Sequence, residues 1–536
     1  MDALGGDPVT RGPLRYAAVA VALFLVVLAL WMLALSVVVH ITPDASIYLL
    51  HARTFTETLN RFTFSHDSKG IMLMFLLALP VKLLGATMAA GALAQAVAYL
   101  AGAAVIVWLL RRQMTVAVSV AALWMIAAFS PLMWGGRVRP EDFGVAFTML
   151  ALLGAYRGAR WGAVLCGAMA AMGLFTKTSL VLSPLVVGVV GCLAGHRGRE
   201  RAVRLVLLAA GFATVAVVVL GWIVLLDDVG QWFRQALQWP VEYKRAVGKT
   251  GLSWLNFSNL FALLHAGRLQ WLFVGSVAGL CYAWRRGAGR LALFVAALLV
   301  AECVRVVIEG EPWHYVVAVM AVPMVVGTSL FGLGRDGRMN WCGVGVVVIL
   351  LSPVFVVALP DAARATRLRL VQDGMTPLEA LAESMAPHYR PGEQIMVGGQ
   401  DYQVLLHLNA PRPYPILPLH LHAVSEDEQA AAEQHFRATP PEWIIDSRPL
   451  TSPVPFRLVG HPDQLTYVYI SPDESEVEKP RDGIRIGARY PTRRLATDLP
   501  GKLLREYPYH LVADTGLHQA WRLTVGGVRN PQQSQN

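Results

Sequence analysis

Runs of apolar residues long enough to bridge a bilayer recur throughout the first 360 positions of this 536-residue chain. A helix needs about 20 such residues to cross the hydrocarbon core, and somewhat fewer when its ends snorkel. The candidate spans are 16–39, 88–110, 114–134, 143–156, 162–176, 178–195, 205–226, 269–284, 291–308, 315–333 and 341–359. Composition agrees. Hydrophobic residues make up 55% of the chain and charged residues only 15%, where soluble domains carry about 25% charged. The five cysteines (Cys166, Cys192, Cys281, Cys303, Cys342) all lie in apolar stretches and read as small core residues, neither bridges nor metal ligands. Basic residues outnumber acidic ones, 46 to 36, a surplus of +10, yet no run of five Lys/Arg exists. Nucleic acid is therefore not an indicated partner, and the surplus reads as membrane orientation.

One further apolar segment, Ile71–Leu84, is short, contains Pro80 and ends near Lys82. Such a length lies at an interface or re-enters more often than it crosses. Charge supports that choice. With 71–84 outside the count, six basic clusters fall on one side: Arg11/Arg15, Arg111/Arg112, Arg157/Arg160, Arg197/Arg199/Arg201/Arg204, Arg285/Arg286/Arg290 and Arg335/Arg338. That side is then the cytoplasm, with the N-terminus on it. A crossing at 71–84 destroys the regularity. Residues 162–195 read equally as two short spans or one re-entrant hairpin. The first span is too long for a signal peptide and lacks its small-residue cleavage site, so it reads as a retained anchor.

The expectation is an α-helical polytopic membrane protein of about 11 spans plus an interfacial helix, with a small C-terminal α/β extracytoplasmic domain. The boundaries are 1–360 for the membrane domain, 361–529 for the outer domain and 530–536 for a disordered tail. Two capping boxes, Thr376-Pro377-Leu378-Glu379 and Ser425-Glu426-Asp427-Glu428, each open a short helix. Strand-like runs lie at Gln394–Val397, Trp443–Ile445 and Leu465–Ile470 and near Trp521–Val525.

Three outward segments, 40–87, 135–142 and 227–268, carry most of the polar chemistry. Asp44, Tyr48 and Ala52 share one helix face, with Asp44 in the first turn behind Pro43. A capping aspartate worth about 1 kcal/mol is the plain alternative to a reactive carboxylate. Arg61, His66, Asp67 and Lys69 precede the interfacial segment, where a lysine often serves only as a snorkelling anchor. Gly135-Gly136-Arg137-Val138-Arg139-Pro140-Glu141-Asp142 sets two arginines on the outer side, against the charge trend. It reads as an ion pair at a helix end or as an Arg fork for phosphate beside an acid. Lys177 sits at the outer end of a short span, and Glu302 and Arg305 stand three residues apart inside another. Ionisable groups there point to function unless they neutralise each other. His314 and Tyr315 follow Trp313 at the outer boundary, where aromatic residues commonly anchor. Asp227-Asp228 reads as a solvated helix end.

No Walker loop, dinucleotide fingerprint, His-Glu-x-x-His or Gly-x-Ser-x-Gly is present. Taken together, the outer motifs resemble the C-type (GT-C) glycosyltransferase superfamily, nearest the bacterial relatives of protein O-mannosyltransferases and of the aminoarabinose transferase acting on lipid A. The resemblance covers residues 15–335 or so. It rests on Asp44-x-x-x-Tyr48-x-x-x-Ala52-Arg53, on the segment ending Leu83-Leu84-Gly85, and on Arg137-x-Arg139-Pro140-Glu141-Asp142. Gly173-Leu174-Phe175-Thr176-Lys177 and His314-Tyr315 ahead of Pro323 complete it. Relatives often carry Lys-Pro-Pro before the interfacial helix; here Ser68-Lys69-Gly70-Ile71 keeps the lysine and lacks the prolines.

The resemblance implies a polyprenyl-phosphate sugar donor, a glycan, lipid or protein acceptor of the envelope, and a site on the outer face of the inner membrane. It implies Asp44 as general base with inversion at the anomeric carbon, and Asp142 or Glu141 as a second acid. Lys69, Arg137, Arg139 and Lys177 would hold the donor phosphate, and Tyr48, Arg53, His314 and Tyr315 would line the cavity. No cofactor is implied, and a divalent ion is not supported by the residues. A transporter or lipid flippase without chemistry is the competing class. It fits less well, because the spans show no repeat symmetry and the polar clusters gather in outer loops.

Overall fold

The computed structural model describes residues 43–59, 70–109, 138–194, 196–226, 229–233, 269–309, 318–332, 377–397, 402–410, 433–447, 456–459, 466–469, 499–515 and 518–524, with scattered positions in 19–34, 120–125, 238–264 and 346–350. Among the described residues, the longer helices of the membrane part are α1 (Pro43–Thr58), α2 (Ile71–Leu84), α3 (Met88–Leu109), α4 (Pro140–Arg157), α5 (Arg160–Thr176), α6 (Leu182–Leu193), α7 (Gly198–Leu226), α8 (Gln270–Arg285), α9 (Gly289–Glu309) and α10 (Ala318–Ser329). Among the described residues, three segments are long and apolar enough to cross a membrane: Ala89–Leu109, Gly198–Leu226 and Gly289–Glu309. Ala22–Trp31, Ile71–Leu84, Arg160–Thr176, Thr178–Leu193 and Val319–Gly332 are apolar but shorter. The expected spans 114–134 and 341–359 lie largely outside the described residues.

Ile71–Leu84 is a helix of 14 residues with Pro80 inside it, roughly 21 Å long and too short to cross. Its Ile71, Leu73, Met74, Leu77 and Val81 face the core, while Leu79, Leu83 and Leu84 are exposed. An aromatic triangle fixes it: Phe75 meets Phe55 of α1 at 5.0 Å and Trp222 of α7 at 4.9 Å. Residues 160–193 form an antiparallel helical hairpin. Its arms join through a 3₁₀ turn, Thr178–Val181, and a Cβ on Gly188 of α6 would touch Cys166 of α5. The outer face of α5 lies backbone to backbone on α7, since a Cβ on Gly167 would come within 1.9 Å of the Leu208 carbonyl. Small residues at such crossings let helices approach where lipid supplies no hydrophobic drive.

The arginine-rich ends converge. Arg157 stacks over Trp108 and Trp161, at 4.6 and 5.5 Å. Arg160 pairs with Glu200 at 2.8 Å, Glu200 with Arg204 at 2.9 Å, and Arg290 reaches the Ala155 carbonyl. The starts of α5, α7 and α9 and the ends of α3 and α4 therefore lie at one end of the bundle. Residues 138–142, 177 and 309 lie at the other.

The described residues from 377 onward include α11 (Pro377–Met385), α12 (Gln403–His407), α13 (Leu499–Glu506) and six strands. These are β1 (Ile395–Val397), β2 (Trp443–Ser447), β3 (Phe456–Val459), β4 (Thr466–Tyr469), β5 (Tyr509–Asp514) and β6 (His518–Leu523). Four form a sheet in the order β1-β2-β6-β5, with β1 and β2 parallel and the other pairs antiparallel; β3 and β4 make a separate hairpin. Strands β1, β2, β4 and β6 fall where the sequence reads as strand. The pattern does not announce β3 and β5. Thr376 and the box at Ser425–Glu428 lie outside the described residues.

Glu393, just before β1, gathers this sheet. It accepts hydrogen bonds from Trp443 Nε1 of β2 (2.8 Å), Arg522 of β6 (2.7 Å) and the Arg390 backbone N–H (2.9 Å). Burial pushes its carboxyl up, but the bonds from Trp443, Arg390 and Arg522 outweigh this and hold it below the usual carboxylate value. A carboxylate depressed in the folded state stabilises above its unfolded pKa, about 4.3, and loses that contribution as pH falls through its folded value. Hydrogen exchange of β1, β2 and β6 in the full chain should therefore accelerate as pH falls below about 4, after correction for intrinsic exchange. Glu393→Gln should show the loosening already at pH 7 and little further change on acidification.

Candidate functional site

The second acidic-basic loop folds as a helix start. Arg139 is the N-cap of α4 in extended conformation, followed by Pro140 at the first helical position and by Glu141 and Asp142 in the first turn. Proline there is preset for the helix, and acids favour its positive end. Asp142, 1% exposed, has both oxygens engaged. Oδ2 accepts the Arg139 backbone N–H at 2.9 Å, and Oδ1 accepts the Tyr99 hydroxyl of α3 at 2.7 Å. The carboxylate thus anchors the turn that carries Arg139, which is itself 4% exposed.

Gly91 of α3 makes room for that turn. A Cβ there would lie 2.2 Å from Val138 Cγ2 and 3.9 Å from Leu49 Cδ2. Val138 and Leu49 therefore meet over one bare patch of α3, which brings the 138–142 turn beside α1. The backbone of Asp44 lies in the first turn of α1; its side chain lies outside the described residues. Tyr48 and Ala52, one and two turns on, are buried, as their common face requires.

Lys177 sits at the tip of the α5–α6 hairpin, 19% exposed. Its Nζ meets Glu141 Oε1 at 2.6 Å and Glu309 Oε1 at 3.1 Å. The chain of charge continues inward. Arg305 donates to Glu309 at 3.0 Å and to Glu302 at 2.8 Å, Ser179 donates to Glu309 and Ser183 to Glu302. The pair foreseen from its i, i+3 spacing is thus the deep end of a five-charge network, three carboxylates against two cations. Glu141 Oε2 and Glu309 Oε2 are buried with no hydrogen-bond partner among the described residues. Glu309 was not singled out from sequence, although it stands one turn beyond Arg305; Tyr99 carried no signal at all.

The tip also touches the start of α2. The Gly70 N–H donates to the Thr176 carbonyl at 2.8 Å, and a Cβ on Gly70 would lie 1.7 Å from the Phe175 carbonyl oxygen. A proline could neither donate that bond nor fit, which is the physical sense of the departure from Lys-Pro-Pro. Arg53 turns toward the C-terminal region, donating to Asn409 Oδ1 at 2.8 Å and to the Ala410 carbonyl. Lys69, Arg137, His314, Tyr315 and Asp227-Asp228 lie outside the described residues. Among the described residues, no three His, Cys, Asp or Glu side chains group as metal ligands.

Removing one member of a buried ion network strands the rest, at about 3–5 kcal/mol. Arg305→Leu should destabilise by that order in detergent-based unfolding titrations, and adding Glu302→Gln and Glu309→Gln should recover much of the loss. Gly70→Ala should cost about 1–3 kcal/mol through overpacking in the same titration. A wild-type midpoint for Gly70→Ala would show that α2 does not abut the hairpin.

No protein-family model matches the sequence, and no curated protein does. Solved structures do. ArnT from Cupriavidus metallidurans bound to undecaprenyl phosphate superposes with a TM-score of 0.56 at 15% identity, over 96% of this chain and 98% of that one. The same protein in the apo state gives 0.52 at 16% identity, over 84% and 97%. The likeness to the lipid A aminoarabinose transferase, to which the motifs pointed, is thus present at the level of fold: the chain is a helical membrane protein built like ArnT.

Proposed function

We propose that this protein is a membrane glycosyltransferase that moves a sugar from a polyprenyl-phosphate donor to a glycan, lipid or protein acceptor on the outer face of the plasma membrane. The observation that carries this reading is the ArnT-like fold over 96% of the chain. The position of the polar site, at the end of the bundle opposite the arginine-rich loops, supports it. The ArnT structure is described as bound to undecaprenyl phosphate; a donor of that class keeps its tail in lipid and offers its phosphate at the surface.

In the proposed reaction the acceptor hydroxyl attacks the anomeric carbon with inversion. Its proton passes to Asp44, the bond from that carbon to the phosphate oxygen breaks, and polyprenyl phosphate departs. The transfer balances without any redox partner. Arg139, with Arg137 and Lys69, would hold the departing phosphate, where preorganised cations count most. Lys177 is shared with Glu141 and Glu309, so its part is to set the electrostatics of the site as well as to meet the phosphate. Asp142 works by fixing the Arg139 turn. Tyr48, His314 and Tyr315 would form walls, and the lipid tail would lie along α2. The transporter reading draws on the intramembrane charges of α9. Yet Glu302 and Arg305 are satisfied by each other and by Glu309 and Ser183, which suits a scaffold better than a conduit.

The test uses membranes containing the full chain and labelled polyprenyl-phosphate sugars. Asp44→Asn should lower transfer by about 10²–10⁴; undiminished transfer would remove Asp44 as base. An impermeant thiol reagent applied from outside should label a cysteine placed at Thr87, exposed just before α3, but not one at Arg199, exposed at the opposite end of the bundle.

A further inference from the structure

Helix α1 is held on two sides by unlike means. Its inner face is apolar: Ala45, Tyr48, Leu49, Ala52 and Phe55 are buried, and the helix packs on α2, with Phe55 against Phe75. Its other face carries Arg53, whose guanidinium makes both of its described hydrogen bonds to a turn some 350 residues away in sequence.

That turn is a helix end. Helix α12 closes with Asn409 in the left-handed region (φ 49°), and the Asn409 and Ala410 N–H groups fold back onto the Leu406 and Leu405 carbonyls. A cation there meets the negative end of the helix and the Ala410 carbonyl. A guanidinium binds two acceptors in fixed relative geometry, which an ammonium on a flexible stem does not. The turn is itself anchored. Tyr402, Val404, Leu405 and Ala410 are fully buried, and with Leu381 and Met385 of α11 they belong to the same contiguous apolar core as Ala45, Leu49 and Phe55. The C-terminal region is therefore joined to α1 as one packed body.

We propose that Arg53 is a positioning residue: through Asn409 and Ala410, the C-terminal region holds α1, and with it Asp44, in place for the transfer reaction. The reactive role of Asp44 rests on the function proposed above; the mechanical link does not. Arg53 lies nine residues from Asp44, about 14 Å along the helix. It acts by restraining the tilt and rotation of α1 about its packed face. Misplacement of a reacting group by about 1 Å can cost on the order of 10²-fold in rate.

Two variants isolate the link. Asn409→Gly keeps the left-handed turn and removes the side chain whose Oδ1 accepts from Arg53, and Arg53→Lys keeps the charge and removes the fork. In full-length protein in nanodiscs, hydrogen exchange across residues 45–52 should speed up in both, whatever the protein transfers. With a polyprenyl-phosphate sugar as substrate, kcat should fall about 10- to 100-fold with KM for the donor unchanged. Faster exchange confined to 402–410, with 45–52 and kcat as in the native protein, overturns the proposal. If the native protein moves no sugar, the transferase reading falls, and exchange at 45–52 alone decides whether Arg53 holds α1.

Discussion

One ammonium group holds three parts of the chain together. Lys177 lies between Glu141, at the start of α4, and Glu309, at the end of α9, while its backbone forms the tip of the α5–α6 hairpin. In a low-dielectric interior each of these charges alone would cost several kcal/mol, and together they are tolerable only as a complete set. The requirement is geometric. Helix α9 cannot rotate without parting Glu309 from Lys177 and Ser179, and Glu302 from Ser183, and the hairpin tip cannot withdraw without stranding Glu141. The polar end of the bundle inherits its shape from this constraint, and Arg139 is presented by the same first turn of α4 that supplies Glu141.

What could be read from the sequence follows the range of the interactions. Apolar periodicity is local, so the described helices fall close to where the hydropathy places apolar segments, and the short segment at 71–84 is a short helix. The Glu302–Arg305 pair is visible because its partners stand one helical turn apart. The Asp142–Tyr99 bond joins residues 43 positions apart, and Tyr99 sits inside a run of small apolar residues where nothing marks it. The partners of Arg53 are still more remote. The resemblance implied Arg53 as a cavity residue, and its hydrogen-bond partners are decided by which loop packs over α1. Charge parity gave the arrangement of ends, because it depends only on counting spans, and the arginine contacts of the bundle follow the same order.

Gly70 gives a structural reason for the absence here of the Lys-Pro-Pro that the resemblance led one to expect. The missing prolines leave a position that accepts both close contact and a donated hydrogen bond, so the segment before α2 is bound to the hairpin tip through its backbone. The same economy appears in the C-terminal region, where one carboxylate, Glu393, serves β1, β2 and β6 at once. In both places a single residue performs a joining task that a larger core would otherwise spread over many contacts.

The hairpin has a consequence for the surrounding bilayer. Helix α5 is about 26 Å long, and the 3₁₀ turn plus α6 come to about the same, several ångströms less than the ordinary hydrocarbon thickness of about 30 Å. Lipid beside a short element thins to match it, so the leaflet surface dips where the hairpin tip ends. A bilayer that thins around the hairpin would bring its headgroups nearer to Lys177. Under the function proposed above, the phosphate of the donor would then meet the charged end of the bundle while its chain stays in oil.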